Sequence, residues 1–371
     1  MTYFDNAATS RFKPRAVKKA ALDAIRHSAN PGRASHDDAI SAAMTVERAR
    51  NAVFRFADAK RANVVFTKNC TEALNLAILG TATPGAHVVT TALEHNSVLR
   101  PLFMLQKEGL ITLTVIGEKS GKIDAEDVAK AITDKTKLVA VTAMSNVTGF
   151  APPLAEIGEV CAKTGVNLLV DGAQGMGHLP ISFDKMGIDM LCGAAHKGIH
   201  GIMGCGFLVF SKRIFVNPLI FGGTGTESAN PYQPKEPPES LESGTLNLPA
   251  IAALEQGLLW TEKHFSKINA KCAEISFYLH AELQNAGVPI YSVAGSPLLT
   301  FALPAWDSQT VADILNQEYG IAVRAGLHCA PLMHKALKTE NTGLVRASIG
   351  ANNTMRQAKR LAFAIKDVFT R

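Results

Sequence analysis

Two stretches of this chain carry residue types that could do chemistry together. The first holds Asp171-Gly172-Ala173-Gln174 and, after an intervening run, Gly193-Ala194-Ala195-His196-Lys197. An acid closes the apolar run 166–170, as at the end of a buried strand. A lysine follows a second apolar segment after a Gly/Ala-rich turn, beside a histidine. An amine and a carboxylate so placed suit pyridoxal phosphate (PLP). The amine forms a Schiff base with the aldehyde, and the carboxylate keeps the ring nitrogen protonated so that the ring accepts electrons. Taken singly, each is more simply a surface lysine or a strand-end acid of any α/β protein. The second stretch is Arg324-Ala325-Gly326-Leu327-His328-Cys329-Ala330-Pro331. Cys329 lies in a Gly-containing loop with two basic neighbours, a setting that favours thiolate. Its competing reading is an inert buried cysteine.

Weaker signals surround these. Thr71-Glu72 stands where a strand and turn meet a helix, a place where free N–H groups hold phosphate, although threonine is also an ordinary N-cap. Glu94-His95-Asn96-Ser97 follows a strand. An imidazole there could lie flat on a pyridine ring and move protons, or be a loop histidine bound to water. Asn146 and Gln174 could reach the cofactor's phenolic oxygen or be satisfied turn residues.

The elements that must position these residues alternate. Strand-like segments at 64–66, 88–89, 113–116, 138–142 and 168–170 are interleaved with helical patterns near 71–79, 98–106, 124–132 and 154–163. Such alternation implies right-handed crossovers and a mostly parallel sheet covered on both faces. Ligands then sit beyond the carboxyl ends of the strands. Thr71, His95, Asn146, Asp171 and Lys197 all fall at or soon after such ends. Upstream, residues 1–12 form an arm, a helix with Ala16, Ala20, Ala21 and Ile25 on one face follows Pro14, and Asn30-Pro31-Gly32-Arg33 reads as a turn. A long helix over 37–57 carries Ile40, Met44, Ala49 and Val53. Residues 222–249 are a Gly/Pro-rich loop. A helix over 249–284, expected to break within its length, leads to a smaller α+β region with strands at 299–303 and 321–324 and helices at 310–318 and 355–369. The expected domains are 13–250 (large, PLP-binding) and 1–12 with 251–371 (small).

Composition narrows the class. A chain of 371 residues with 47% hydrophobic content suits two domains. The net charge of +6 is dispersed, so neither a nucleic-acid nor a membrane surface is expected. The six cysteines (Cys70, Cys161, Cys192, Cys205, Cys272, Cys329) show no CxxC pair and no metal-ligand spacing, which suits a reducing compartment. The N-terminus lacks signal-peptide regions and no apolar run reaches transmembrane length. The expected location is cytoplasmic.

The ordered set of these motifs resembles the class V (fold type I) PLP enzymes, and within them the cysteine desulfurases. It runs from Asp5-Asn6-Ala7-Ala8-Thr9 and Asn30-Pro31 through Thr71-Glu72-Ala73, Glu94-His95-Asn96, Ser145-Asn146-Val147, Asp171-Gly172-Ala173-Gln174, His196-Lys197 and Glu242-Ser243-Gly244-Thr245. It ends at residues 324–330 and Val345-Arg346. The Arg-x-Gly-x-His-Cys-Ala form is similar to the second desulfurase group, that of the selenocysteine lyase type, with its cysteine on a short ordered loop. The resemblance implies a large domain with a mostly parallel seven-stranded sheet between helices, and a homodimer. Lys197 would hold PLP and shuttle a proton, Asp171 would pair with the ring nitrogen, His95 would stack on the ring and Gln174 would contact the phenolic oxygen. Thr71, His196 and, from the other subunit, Thr245 would hold the phosphate, with Cys70 and Asn146 completing the cofactor set. Arg346 would clamp the substrate carboxylate, with Asn30, Asn146 and Arg324 nearby, and Cys329 would be the nucleophile. L-cysteine would yield L-alanine and a persulfide for an acceptor protein. L-selenocysteine is an alternative substrate, while an aminotransferase would leave Cys329 without a task. A non-catalytic binding protein of the same fold would need neither Lys197 nor Cys329.

Three positions depart from the family pattern. Ala194 stands where members often have a phosphate-binding Ser or Thr, a loss typically worth roughly 1.5–3 kcal/mol, so weaker PLP binding is expected unless Thr224 or Thr226 compensates. Ile202 stands where many relatives have proline, and Leu327 where the group often has a second histidine.

Overall fold

The computed structural model describes residues 1–31, 35–117 and 121–371. The turn expected at Asn30-Pro31-Gly32-Arg33 thus ends outside the described residues. In chain order the first elements are β1 (Thr2–Tyr3), α1 (Arg15–Arg26), α2 (Asp37–Phe56), β2 (Ala62–Thr67), α3 (Cys70–Gly80), β3 (Ala86–Thr91), α4 (Asn96–Lys107) and β4 (Ile111–Ile116). Next come α5 (Ala125–Ala131), β5 (Thr136–Thr142), α6 (Leu154–Thr164), β6 (Asn167–Asp171), β7 (Met190–Ala194), β8 (Gly206–Ser211) and α7 (Leu248–Asn285). The chain ends with β9 (Leu298–Phe301), α8 (Ser308–Gln317), β10 (Ile321–Ala322), β11 (Arg324–Gly326), α9 (Pro331–Leu337), β12 (Leu344–Ser348) and α10 (Met355–Phe369).

Seven strands form the central sheet in the order β2-β8-β7-β6-β5-β3-β4. β4, β3, β5, β6 and β7 are mutually parallel, and β8 runs antiparallel to both of its neighbours. Six of the seven carboxyl ends therefore share one edge. Val139, Val141, Leu168 and Val170 pack with α2, α6 and the first turns of α7 on one face, while Val88, Leu169 and Leu208 pack with α3 and α4 on the other. Double-sided burial explains why these strands read as unbroken apolar runs. A second core gathers Phe4, Ile275 and Leu279 of α7, Phe301, Val345 and Ile365 around the antiparallel sheet β11-β12-β9. The arm joins it, because β1 pairs in parallel with β10.

Several sequence expectations need correction. α7 is one continuous helix of 38 residues, without the expected break. Its interior Gly257 does not interrupt it. The glycine lets the helix meet the loop after Lys197, where a Cβ would stand 2.6 Å from the Ile199 carbonyl oxygen. Ile40 and Met44 of α2 and Ile25 of α1 are exposed, and the buried faces are built on Val46, Ala49 and Val53, and on Val17 and Ala21. The strand expected at 321–324 divides into β10 and β11, which belong to different sheets.

Candidate functional site

A small cavity opens at the shared carboxyl edge of the sheet. Its wall includes Cys70, Thr71, His95, Asn146, Asp171, Gln174, His196 and Lys197, contributed by the segments after β2, β3, β5, β6 and β7. Eight of the residues singled out in the sequence therefore share one space.

The first turn of α3 forms one end of it. Asn69 caps this helix, its side-chain oxygen accepting the Glu72 N–H at 2.9 Å. That leaves unsatisfied N–H groups and the positive end of the helix dipole at the cavity. Thr71 Oγ1 lies 2.8 Å from Ser97 Oγ, which lies 2.9 Å from His95 Nδ1. His95 is itself the N-cap of α4, and its Nδ1 accepts the Ser97 N–H at 3.0 Å. Burial lowers the His95 pKa to about 4, so the ring is neutral at pH 7 with its proton on Nε2. His196 is likewise pushed down to about 4 by burial, then by Lys197 and Lys13.

The same cavity holds the acid and the amine. Asp171 is 4% exposed, and its Oδ1 accepts the Ala173 N–H at 2.9 Å and faces the Cys70 thiol at 3.7 Å. Half-buried Lys197 is pushed below the ordinary lysine range by burial, while Asp171 opposes that shift and Arg346 and Arg324 reinforce it. The carbonyl of the preceding His196 accepts bonds from Ser10 N–H (3.0 Å), Ser10 Oγ (3.0 Å) and Lys13 Nζ (3.1 Å). The arm is thereby tied to the base of the amine. Gln174 Nε2 holds the same arm through the Ala7 carbonyl at 2.9 Å.

The Cys329 loop is fastened to this cavity from the C-terminal part of the chain. His328 and Cys329 adopt left-handed φ values of 50° and 58°. Such a conformation costs on the order of 1–3 kcal/mol per non-glycine residue and persists only where the surroundings impose it. Asn96 N–H donates to the Cys329 carbonyl and Asn146 Nδ2 to the His328 carbonyl, each at 2.7 Å. Arg324 Nη2 lies 4.0 Å from the Cys329 sulfur. The other five cysteines are buried. Arg346, 1% exposed, donates to the Asn146 carbonyl at 2.8 Å and pairs with Asp5 at only 3.5 Å. Burial lowers its pKa to about 10. Its Nε, Asn146 Oδ1 and His196 Nδ1 are buried without a partner among the described residues, as expected where a ligand's polar groups complete the bonding.

Other expected residues are not brought into the cavity. Thr245, expected to act from the other subunit, is exposed and borders a separate cavity with Leu219, Ile220 and Ser243. Thr224 and Thr226 bond to each other on the long loop, so neither replaces a hydroxyl missing at 194 within this chain. Asn30, between α1 and α2, does not line the cavity. Sequence reasoning missed Ser97, Asp5 as the partner of Arg346, and the Ser10–Lys13 tie. For Ser97 the available signal was its place two residues after His95. The Asp5–Arg346 pair spans 341 residues and left no local trace.

Glu94, next to His95, is fully buried. Its Oε1 accepts bonds from Thr91 Oγ1 (2.7 Å) and Thr142 N–H (2.9 Å). Burial raises its pKa from 4.5 to about 8. The folded state therefore holds a proton that the unfolded chain releases between these values, and stability falls as pH rises from 4.5 through 8. Glu94→Gln should match the native protein at pH 5 and exceed it at pH 8 by on the order of a few kcal/mol, measured by urea unfolding. Parallel pH curves for the two proteins would refute this.

Residues 2–361 match the model of the family "Aminotransferase class-V". The chain is 33% identical to a probable cysteine desulfurase of Pyrococcus abyssi, over 99% of this chain and 94% of that one. It is 31% identical to another of Methanothermobacter thermautotrophicus, with the same coverage. A solved cysteine desulfurase of Thermococcus onnurineus superposes with a TM-score of 0.93 at 32% identity, covering 100% of this chain and 94% of the other. The chain belongs to the class-V aminotransferase family.

Proposed function

We propose that this chain is a PLP-dependent cysteine desulfurase that converts L-cysteine to L-alanine and holds the sulfur on Cys329 as a persulfide for an acceptor protein. The observation that carries this reading is the fastening of Cys329, with Arg324 beside its sulfur, to the cavity that contains Lys197 and Asp171. The same cysteine argues for the desulfurase reading over amino-group exchange.

The donor set fits PLP. An amine and a carboxylate share one cavity with the open first turn of a helix, and unpartnered Asn146 Oδ1 and His196 Nδ1 belong to residues of its wall. When bound, PLP supplies an aldehyde for amines and a protonated ring that draws electrons from the substrate's α-carbon. Lys197 would hold the cofactor and carry the substrate's α-carbon proton; burial lowers its pKa from 10.5, which eases loss of its own proton. Asp171 would pair with the ring nitrogen, neutral His95 would stack on the ring, and Gln174 would serve the phenolic oxygen. Thr71 and His196 would take the phosphate, with Cys70 and Asn146 completing the wall. Arg346 binds the substrate carboxylate, assisted by Asn146, Arg324 and Asn30. The Cys329 thiolate attacks the substrate's sulfur. The S–S bond forms as the C–S bond breaks, and the departing electron pair stays with the β-carbon, which is protonated on the way to alanine.

Thr245 would act in the cavity of a second copy, making the enzyme a homodimer. Its exposed position beside Leu219 and Ile220 supports that arrangement. The two cores support a division into 13–250 and 1–12 with 251–371, joined through α7. The cytoplasm suits six unpaired cysteines, and no helix among the described residues is long and apolar enough to cross a membrane. The form of the Cys329 loop supports assigning the chain to the second desulfurase group.

The test is alanine formation from L-cysteine and L-selenocysteine, side by side, by PLP-loaded protein with a reductant present. Alanine from L-cysteine, with an extra sulfur on the Cys329 peptide by mass spectrometry, is the expected result. Keto-acid-dependent amino exchange without alanine release would overturn the proposal. A further expectation concerns Arg346. Arg346→Lys keeps the charge but loses the planar fork and should lower kcat/KM for L-cysteine on the order of 100-fold, mostly through KM. An unchanged KM would move carboxylate recognition elsewhere.

A further inference from the structure

The hydroxyl of Ser97 has no role in the scheme above, although it lies between two residues that do. It is 2.8 Å from Thr71 Oγ1 and 2.9 Å from His95 Nδ1, it lines the same cavity, and its residue is 8% exposed. His95 Nδ1 already accepts the Ser97 backbone N–H at 3.0 Å. One donor suffices to fix the neutral ring with its proton on Nε2. The ring therefore does not need the single proton on Ser97 Oγ, and one of the Ser97 and Thr71 hydroxyls donates to the other. Both hydroxyls stand where the first turn of α3 leaves its N–H groups open to an anion. In the same lining, residue 194 is an alanine and offers no hydrogen bond from its side chain. Thr142 is already engaged with the Met144 carbonyl at 3.1 Å, and Thr224 and Thr226 do not line the cavity.

We infer that Ser97 is a phosphate-binding residue, supplying the hydroxyl that position 194 lacks and acting as a pair with Thr71. This rests on the reading of the cavity as a PLP site with its phosphate at α3. With the anion present, the Thr71 and Ser97 hydroxyls both donate to it, and the backbone N–H of Ser97 alone continues to hold His95. The assignment adds a donor on α4 to those on α3, so two helix starts converge on one anion.

The experiment measures binding of PLP and of phosphate-free pyridoxal to cofactor-free protein, by equilibrium dialysis and the change in absorbance. The proteins are native, Ser97→Ala, Thr71→Ala and the double variant Ser97→Ala/Ala194→Ser, each checked for native circular dichroism. Ser97→Ala should weaken PLP about tenfold or more while leaving pyridoxal affinity unchanged, and adding Ala194→Ser should recover most of the loss. Equal weakening of PLP and pyridoxal would overturn the inference, because the hydroxyl would then act on the ring through His95. So would native PLP affinity in Ser97→Ala with weakened binding in Thr71→Ala. Native affinity in both variants would place the phosphate elsewhere and defeat the underlying reading as well.

Discussion

Cys329→Ala should abolish sulfide release from L-cysteine, on the order of 10³-fold or more, while the protein binds PLP with native affinity and spectrum. The separation of effects follows from where the residue sits. The cofactor cavity is walled by residues after β2, β3, β5, β6 and β7, whereas Cys329 is outside that wall and fastened to it through Asn96 and Asn146. Both of those bonds reach backbone carbonyls, of Cys329 and His328, so the substitution removes the sulfur without loosening the loop. Cys329→Ser is a stricter comparison. It keeps size and polarity, but a serine hydroxyl is not ionised at neutral pH and does not form a persulfide. It should be as inactive as the alanine variant. Native rates in either variant would remove Cys329 from the reaction and return the chain to the amino-transfer reading.

The parts of this site legible in the sequence are those set by strand ends. Asp171 and Lys197 follow apolar runs buried on both faces, and a parallel sheet brings such ends to one edge whatever the side chains are. The same logic correctly grouped Thr71, His95 and Asn146. What stayed hidden depends on contacts between distant segments. The antiparallel course of β8 is decided by its pairing with β2 and β7, and its apolar residues look alike in either direction. The break expected within 249–284 is absent, and Gly257 inside α7 instead lets the loop at Ile199 approach the helix. Ile40 and Met44 fit the same helical stripe as Ala49 and Val53, yet Ala42 and Val46 face the core in their place because α2 packs closely on α7. Thr245 lies outside this chain's cavity, and only the family resemblance, not a local pattern, assigns it to the other subunit.

Lys197→Ala should lose both tasks of the amine and fall on the order of 10³-fold or more in kcat/KM. Lys197→Arg should not rescue it, since a guanidinium stays protonated and cannot take a proton from carbon. The cofactor-free protein should respond differently. Burial holds the Lys197 pKa below its ordinary 10.5, with Arg346 and Arg324 adding to the shift and Asp171 opposing it. Between the folded value and 10.5 the unfolded chain binds more protons, so native stability rises with pH through that window. Below the window the folded state carries the full cost of a desolvated ammonium. Removing the amine relieves that cost, and cofactor-free Lys197→Ala should be at least as stable as the native protein at pH 7, by urea midpoint. The advantage should shrink as pH approaches 10.5. This is the pattern of a functional group held at the expense of stability. A variant less stable than the native protein at pH 7 would instead make the Asp171 attraction the dominant influence on Lys197, and the amine would then be too firmly protonated for the role proposed.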